Sequence, residues 1–129
     1  WPSAVGAYPH LYKSGDLIFV SGIGPRSPLT NEIIGGAIRD KDGNSLEYDI
    51  REQTRSVIEN ISIILEEYGS NLSKVVDVYS MLIDMERDFE GYNEIYSEYF
   101  SKIMPSRTTC SVLALPTPIA VELKVIAKI

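Results

Sequence analysis

Val75-Val76-Asp77-Val78-Tyr79-Ser80-Met81-Leu82-Ile83 is the stretch whose reading decides the fold. It is rich in β-branched residues and apolar on both faces, as expected of a strand covered on both sides. A helix pattern flanks it on either side. Upstream, Val57, Ile58, Ile61, Ile64, Leu65 and Tyr68 recur at helical spacing. Asp49, with Glu52 in the capping-box position, opens that segment, and Gly69 closes it. Downstream, Phe89, Tyr92, Ile95, Tyr96, Tyr99, Phe100 and Ile103 form a second apolar stripe, with Asp88 as its expected cap and Pro105 as its stop.

Further out, Leu11-Tyr12-Lys13 and Leu17-Ile18-Phe19-Val20-Ser21 flank Ser14-Gly15-Asp16, a hairpin signal. Residues 23–46 hold Gly24, Pro25, Pro28, Gly35, Gly36 and Gly43 and read as a long loop turning at Asp42-Gly43-Asn44. Thr108 to Leu113 and Ala120 to Ile129 read as the last strands, with Leu115-Pro116-Thr117-Pro118 as the turn between them. The order β-β-loop-α-β-α-β-β predicts an α+β fold, a mixed sheet with two helices on one face, in a single domain over 1–129. That layout leaves the other sheet face bare. Val78, Met81, Val112, Val121, Leu123 and Val125 offer too much apolar surface for water on one side, so an oligomer interface is expected there. The alternative is that loop 23–46 folds back over that face.

With 129 residues, 44% of them hydrophobic, the chain suffices for one core. Twelve basic residues against eighteen acidic ones give a net charge of −6, and the basic residues are scattered. A nucleic-acid binder usually shows a basic stripe, so the charge favours a small-molecule protein. No apolar run reaches membrane-span length. Trp1-Pro2-Ser3 opens without a basic stretch and apolar run, so no signal peptide is expected; the missing initiator methionine leaves a removed presequence open. The single cysteine, Cys110, excludes an internal disulfide and fits a reducing, cytoplasmic compartment.

Two charged residues stand out. Arg107, in Met104-Pro105-Ser106-Arg107-Thr108-Thr109, opens a strand where it can grip a small carboxylate with two parallel hydrogen bonds. Glu122, in Ala120-Val121-Glu122-Leu123-Lys124-Val125, is a candidate proton carrier in an otherwise apolar strand. Spacing alone favours a plainer account, a surface arginine and a structural glutamate, because charged residues in strands are common on solvated faces. Other chemistries find less support. His10 is the only histidine, and no Cys/His spacing marks a zinc site, so no metal is expected. Gly22-Ile23-Gly24 lacks the rest of a dinucleotide fingerprint and leads into a loop. Cys110 alternates away from Arg107 and Thr109 and reads as a small buried hydrophobe.

A family resemblance spans nearly the whole chain. It is carried by Gly6-Ala7-Tyr8-Pro9, Phe19-Val20-Ser21-Gly22, the run Gln53 to Asn60, Asp84-Met85 with Asp88-Phe89 and Tyr92-Asn93, Pro105-Ser106-Arg107, and Val121-Glu122-Leu123. In this order they resemble the Rid (YjgF-type) reactive-intermediate deaminases. The long segment from Gly24-Pro25-Arg26 to Tyr48-Asp49-Ile50 looks like the subgroup that includes 2-aminomuconate deaminase.

The resemblance implies a chorismate-mutase-like fold and a homotrimer with clefts between subunits. It also implies hydrolysis of an enamine or imine carboxylate to a carbonyl compound and ammonia, with no cofactor. By the same resemblance Arg107 would hold the substrate carboxylate, Glu122 would handle the attacking water, and Tyr8, Gly22 and Asn93 would line the cleft. Thr109 stands where many members carry cysteine, which leaves only a backbone contact to expect from it. Arg26 could take the second carboxylate of aminomuconate; on its own it reads as a surface arginine. Other relatives are described as ribonucleases, translation inhibitors or ligand-binding and regulatory proteins. The acidic charge and the lack of a histidine pair weigh against the nuclease; a carboxylate-metabolite binder is the alternative. If the last two strands pair as a hairpin, Glu122 lies opposite Ser111 and roughly 13 Å of strand separates it from Arg107 at about 3.3 Å per residue. That separation points to a site shared between two chains.

Overall fold

The computed structural model describes residues 9–129. Its elements are β1 (Leu11–Ser14), β2 (Leu17–Ile23), α1 (Ile50–Glu67), a short 3-10 turn at Leu72–Lys74, β3 (Val75–Leu82), α2 (Met85–Phe100), β4 (Ser106–Ser111) and β5 (Val121–Lys128). One five-stranded sheet has the order β1-β2-β5-β3-β4. Its neighbours are antiparallel except β3 and β4, which run parallel. Both helices cover one face, so the expected mixed sheet with two helices on one side is the architecture observed.

Helix α1 begins where Asp49 accepts the Glu52 backbone N–H at 3.1 Å. The other half of a capping box is not made, because the Asp49 N–H donates to Gly35 O. Val57, Ile58, Ile61 and Leu65 are wholly buried, whereas Tyr68 at the helix end is 47% exposed. Gly69 closes the helix at φ +84°, a conformation that favours glycine. In α2 the cap is Asp84, which accepts the Arg87 N–H at 3.0 Å, and not Asp88. The helix starts a turn earlier than its apolar stripe, so Asp88 falls inside it. There it is buried and accepts the Tyr48 hydroxyl at 2.6 Å, and burial raises its pKa.

The expected hairpin between the last two strands does not form. Strand β5 pairs with β2 and β3, while β4 pairs only with β3. The reason is connectivity. Helix α2 carries the chain back along β3, so β4 enters parallel to it at the sheet edge. The link 112–120 then crosses β3 and delivers β5 to the centre, where Val121, Leu123, Val125 and Ala127 are all 0% exposed. Glu122 therefore lies opposite Met81, and Ser111 opposite Leu82.

Alternation also corrects the expected bare face. Val78, Val121, Leu123 and Val125 are buried beneath the helices. Of the residues expected there, Met81 does lie on the open face, together with Phe19, Tyr79 and Ile126, and with Glu122 and Lys124 among them. Loop 23–46 is tied to the helix layer by α1 side chains, Gln53 to Gly36 O and Asn60 to Gly24 O and Arg26 O, and its Ile38 N–H donates to Pro118 O. Its turn at 42–44 is held by Asp40, which accepts the Asp42 and Asn44 N–H groups, both at 2.9 Å. Loss of the Asp49 cap should cost about 1 kcal/mol. Urea denaturation of Asp49→Ala should show a lower midpoint at unchanged slope; an unmoved midpoint would mean that the cap contributes nothing.

Candidate active site

The predicted site residues fall into two groups on opposite faces of the sheet. Arg107 pairs with Val78, and Glu122 pairs with Met81, three residues further along β3. An odd step along a strand reverses the face. Arg107 therefore lies on the helix side and Glu122 on the open side, and β3 separates their strands. Two interstrand spacings alone amount to roughly 9.5 Å. Within one chain the two side chains cannot hold one small molecule.

Arg107, Asn93 and Thr109 form the first group. The guanidinium donates to Asn93 Oδ1 at 2.9 Å and sits over aromatic rings of α2, 4.6 Å from the Tyr96 centroid, 5.6 Å from Tyr92 and 6.0 Å from Phe89. Among the described residues it has no carboxylate within ion-pair distance, unlike Arg51, Arg55 and Arg87. Its charge is thus held by neutral groups and stays available to an anion. Burial pushes the Tyr96 hydroxyl up to about 12, against the pull of Arg107. The hydroxyls of Tyr96 and Thr109 are buried without a hydrogen-bond partner among the described residues. A recess of about 280 Å³ opens beside the guanidinium, walled by Tyr96, Phe100, Met104 and Pro105. Asn93 is therefore a support for the arginine as well as a candidate contact.

Glu122, Gly22 and Arg26 form the second group. A register shift between Val20 and Ile23 places Ser21 and Gly22 in a bulge of β2 beside β5. A Cβ on Gly22 would stand 2.4 Å from Glu122 Oε2 and 2.9 Å from its Cδ, so the carboxylate packs directly against the glycine. Burial is the main cause that raises the Glu122 pKa, and Arg26 opposes it. The cleft between Gly22, Gly24 and Arg26 on one wall and Pro116, Thr117 and Ile119 on the other holds about 30 Å³. That is room enough for a water. The arrangement suits a carboxylate that takes a proton from a confined water.

Tyr8 lies outside the described residues. Cys110 is on the open face, half-buried, with its thiol 3.1 Å from the Tyr79 hydroxyl. A larger cleft of about 480 Å³ runs along the outer side of α1, but its arginine, Arg55, is committed to Glu98 and Tyr99. Sequence reasoning missed the aromatic shelf under Arg107 and the buried amides of Gln53 and Asn60. Their signal was present: both amides interrupt the apolar stripe of α1, seven residues apart and so on one helix face. No helix among the described residues is long and apolar enough to cross a membrane.

The two-helix mixed sheet thus carries, on opposite faces, a half-buried carboxylate beside a small cleft and an arginine without a carboxylate partner among the described residues. The family profile described as Endoribonuclease L-PSP matches residues 1–129. A RutC family protein of Pyrococcus abyssi is 42% identical over 126 residues, covering 98% of this chain and 89% of that protein. Reactive Intermediate Deaminase A, chloroplastic, of Arabidopsis thaliana is 34% identical over 126 residues, covering 98% of this chain and 60% of that protein. The crystal structure of E. coli TdcF with bound serine superposes with a TM-score of 0.82 at 27% identity, covering 99% of this chain and 92% of that one. The chain belongs to this family, the YjgF/Rid proteins.

Gly22→Ala should leave the fold intact, because only the end of a flexible side chain is in the way, while pushing the Glu122 carboxylate off its seat. Misplacement of a reacting group by about 1 Å can cost on the order of a hundredfold in rate. Turnover close to wild type in a folded Gly22→Ala protein would remove Glu122 from the chemistry.

Proposed function

We propose that this protein hydrolyses a small enamine or imine carboxylate to a carbonyl compound and ammonia. The observation that carries the proposal is the Glu122 cleft, a half-buried carboxylate of raised pKa seated over Gly22 beside space for one water. The word deaminase in the Arabidopsis relative's name agrees with ammonia as a product, and the serine bound in TdcF with an amino-acid-like ligand.

An enamine takes a proton from solvent on carbon and becomes the iminium; an imine reaches the same species by protonation on nitrogen. Glu122, ionised, takes one proton from water as the oxygen adds to the iminium carbon, and the C=N electron pair moves to nitrogen to give the neutral carbinolamine. Glu122 then passes that proton to the nitrogen. The C–N bond breaks, ammonia leaves and the C=O bond forms as the hydroxyl proton passes to Glu122, which returns it to solvent in place of the one taken up at the start. Arg107 holds the carboxylate and converts encounter into orientation.

Because the two side chains of one chain lie on opposite faces, the reading requires Arg107 of one subunit and Glu122 of another in each cleft. A homotrimer with sites between subunits satisfies this, with the apolar residues of the open face as part of the contact. The finer proposal is 2-aminomuconate. Arg26, on the wall of the Glu122 cleft, would take its second carboxylate.

Arg107→Ala and Glu122→Gln should each be inactive on a freshly generated 2-iminoacid. Mixed and reassembled, they should recover activity, since some clefts then hold both native residues. No recovery in verified mixed oligomers counts against a shared site. Wild-type turnover should fall as pH drops through the raised pKa of Glu122, because only the ionised carboxylate accepts the proton. Binding of the carboxylate without any turnover would make the protein a metabolite binder instead.

Arg26→Ala should weaken deamination of 2-aminomuconate more than that of a monocarboxylate imine, read as the ratio of kcat/KM values. Equal losses on both substrates would leave Arg26 without a role in choosing between them.

A further inference from the structure

We propose that Gln53 and Asn60 are positioning residues for the Glu122 cleft, two buried amides of α1 that hold its walls in place. The inference rests on the reading of Glu122 as the proton carrier.

Gln53 is 0% exposed and Asn60 5% exposed, in the same helix face as Val57, Ile61 and Ile64. A buried amide without partners is costly, so its hydrogen bonds show what it is there to hold. The Asn60 Nδ2 donates to Arg26 O at 2.8 Å and to Gly24 O at 3.2 Å. These are the two loop residues of the cleft's first wall. The Gln53 Nε2 donates to Gly36 O at 2.7 Å, and its Oε1 accepts the Ala120 N–H at 2.9 Å. Ala120 follows Ile119 of the second wall and precedes Val121 and Glu122.

One helix face thus grips both sides of the cleft through main-chain groups. The grip is close: a Cβ on Gly35 would stand 2.9 Å from Gln53 Cγ and 2.8 Å from Asp49 O, at φ +78°. Leucine at either amide position would continue the apolar stripe, but would leave the main-chain groups of the loop and of Ala120 to find other partners. The amides therefore do what an apolar core cannot: they set the distance between the wall residues and the carboxylate.

The wall also sets the surroundings of Glu122. Arg26 is the charged group facing it from the loop. Lys124, two residues along β5, turns its ammonium to Val20 O at 3.3 Å, and the neighbours on β2 and β3, Gly22 and Met81, carry no charge. Releasing the loop removes both the burial that raises the carboxyl's pKa and the opposing arginine. Burial is the larger cause, so the carboxyl should then titrate at lower pH.

The test follows the Glu122 carboxyl by NMR in protein carrying isotope-labelled glutamate, alongside steady-state deamination of a 2-iminoacid and thermal melts. Asn60→Ala and Gln53→Met are compared with Ile61→Val, a core change on the same helix at a side chain that makes no hydrogen bond to either wall. Expected are a Glu122 titration moved to lower pH and kcat lowered on the order of ten- to a hundredfold with a smaller change in KM, in both amide variants and not in Ile61→Val. If both amide variants match Ile61→Val in titration and kcat, the amides are structural only and the inference is overturned. Should Asn60→Ala fail to fold, Asn60→Ser, which keeps one donor, is read in the same way. The two readings separate cleanly. Full turnover in Glu122→Gln would sink the proton-carrier role, whereas an inactive Glu122→Gln beside unaffected amide variants would sink this inference alone.

Discussion

The alternation of β5 at the centre of the sheet is the constraint on which the rest of the molecule depends. Val121, Leu123, Val125 and Ala127 are wholly buried under the helices, and a strand's period of two leaves Glu122 no choice but the opposite face. A slip of one residue would expose four apolar side chains and bury the carboxylate in the core. Registration of β5 against β3 and β2 thus holds the hydrophobic core and the candidate catalytic group by the same hydrogen bonds.

The same logic separates the two halves of the candidate chemistry. β4 is delivered by α2 to the sheet edge parallel to β3, and Arg107 there faces the helices, where Asn93 and the aromatic rings of α2 support it. Each chain thus carries the candidate anchor and the candidate proton carrier turned away from each other. The proposed chemistry can join the two only across a boundary between copies.

Polar groups inside the core mark where packing serves the site. Asp88 is buried to hold Tyr48 at the end of the long loop, while Gln53 and Asn60 hold that loop and the entry to β5. Each interrupts an apolar helix face at a cost in desolvation, offset by the Tyr48 hydroxyl for Asp88 and by main-chain groups for the two amides. The loop between β2 and α1, though rich in glycine and proline, is therefore a fixed wall of the Glu122 cleft.

Much of this was legible in the chain. Helical spacing from Val57 to Leu65 and from Tyr92 to Phe100, the Asp49 cap, the Gly69 stop and the β-rich run at 75–82 determined the elements and their order, because these signals are local. Arg107 and Glu122 were legible as candidates because a charge in an apolar strand is conspicuous. Which strand lies beside which was not legible. The short turn at Leu115–Pro118 reads as a hairpin, and only the crossover of α2 and the burial of four β5 side chains decide that β3 comes between β4 and β5. Strand pairing is a long-range choice settled by how much apolar surface each arrangement buries. The faces of Arg107 and Glu122, the shelf beneath the arginine and the amide grip on the cleft all follow from that choice, so the tertiary structure alone decided them.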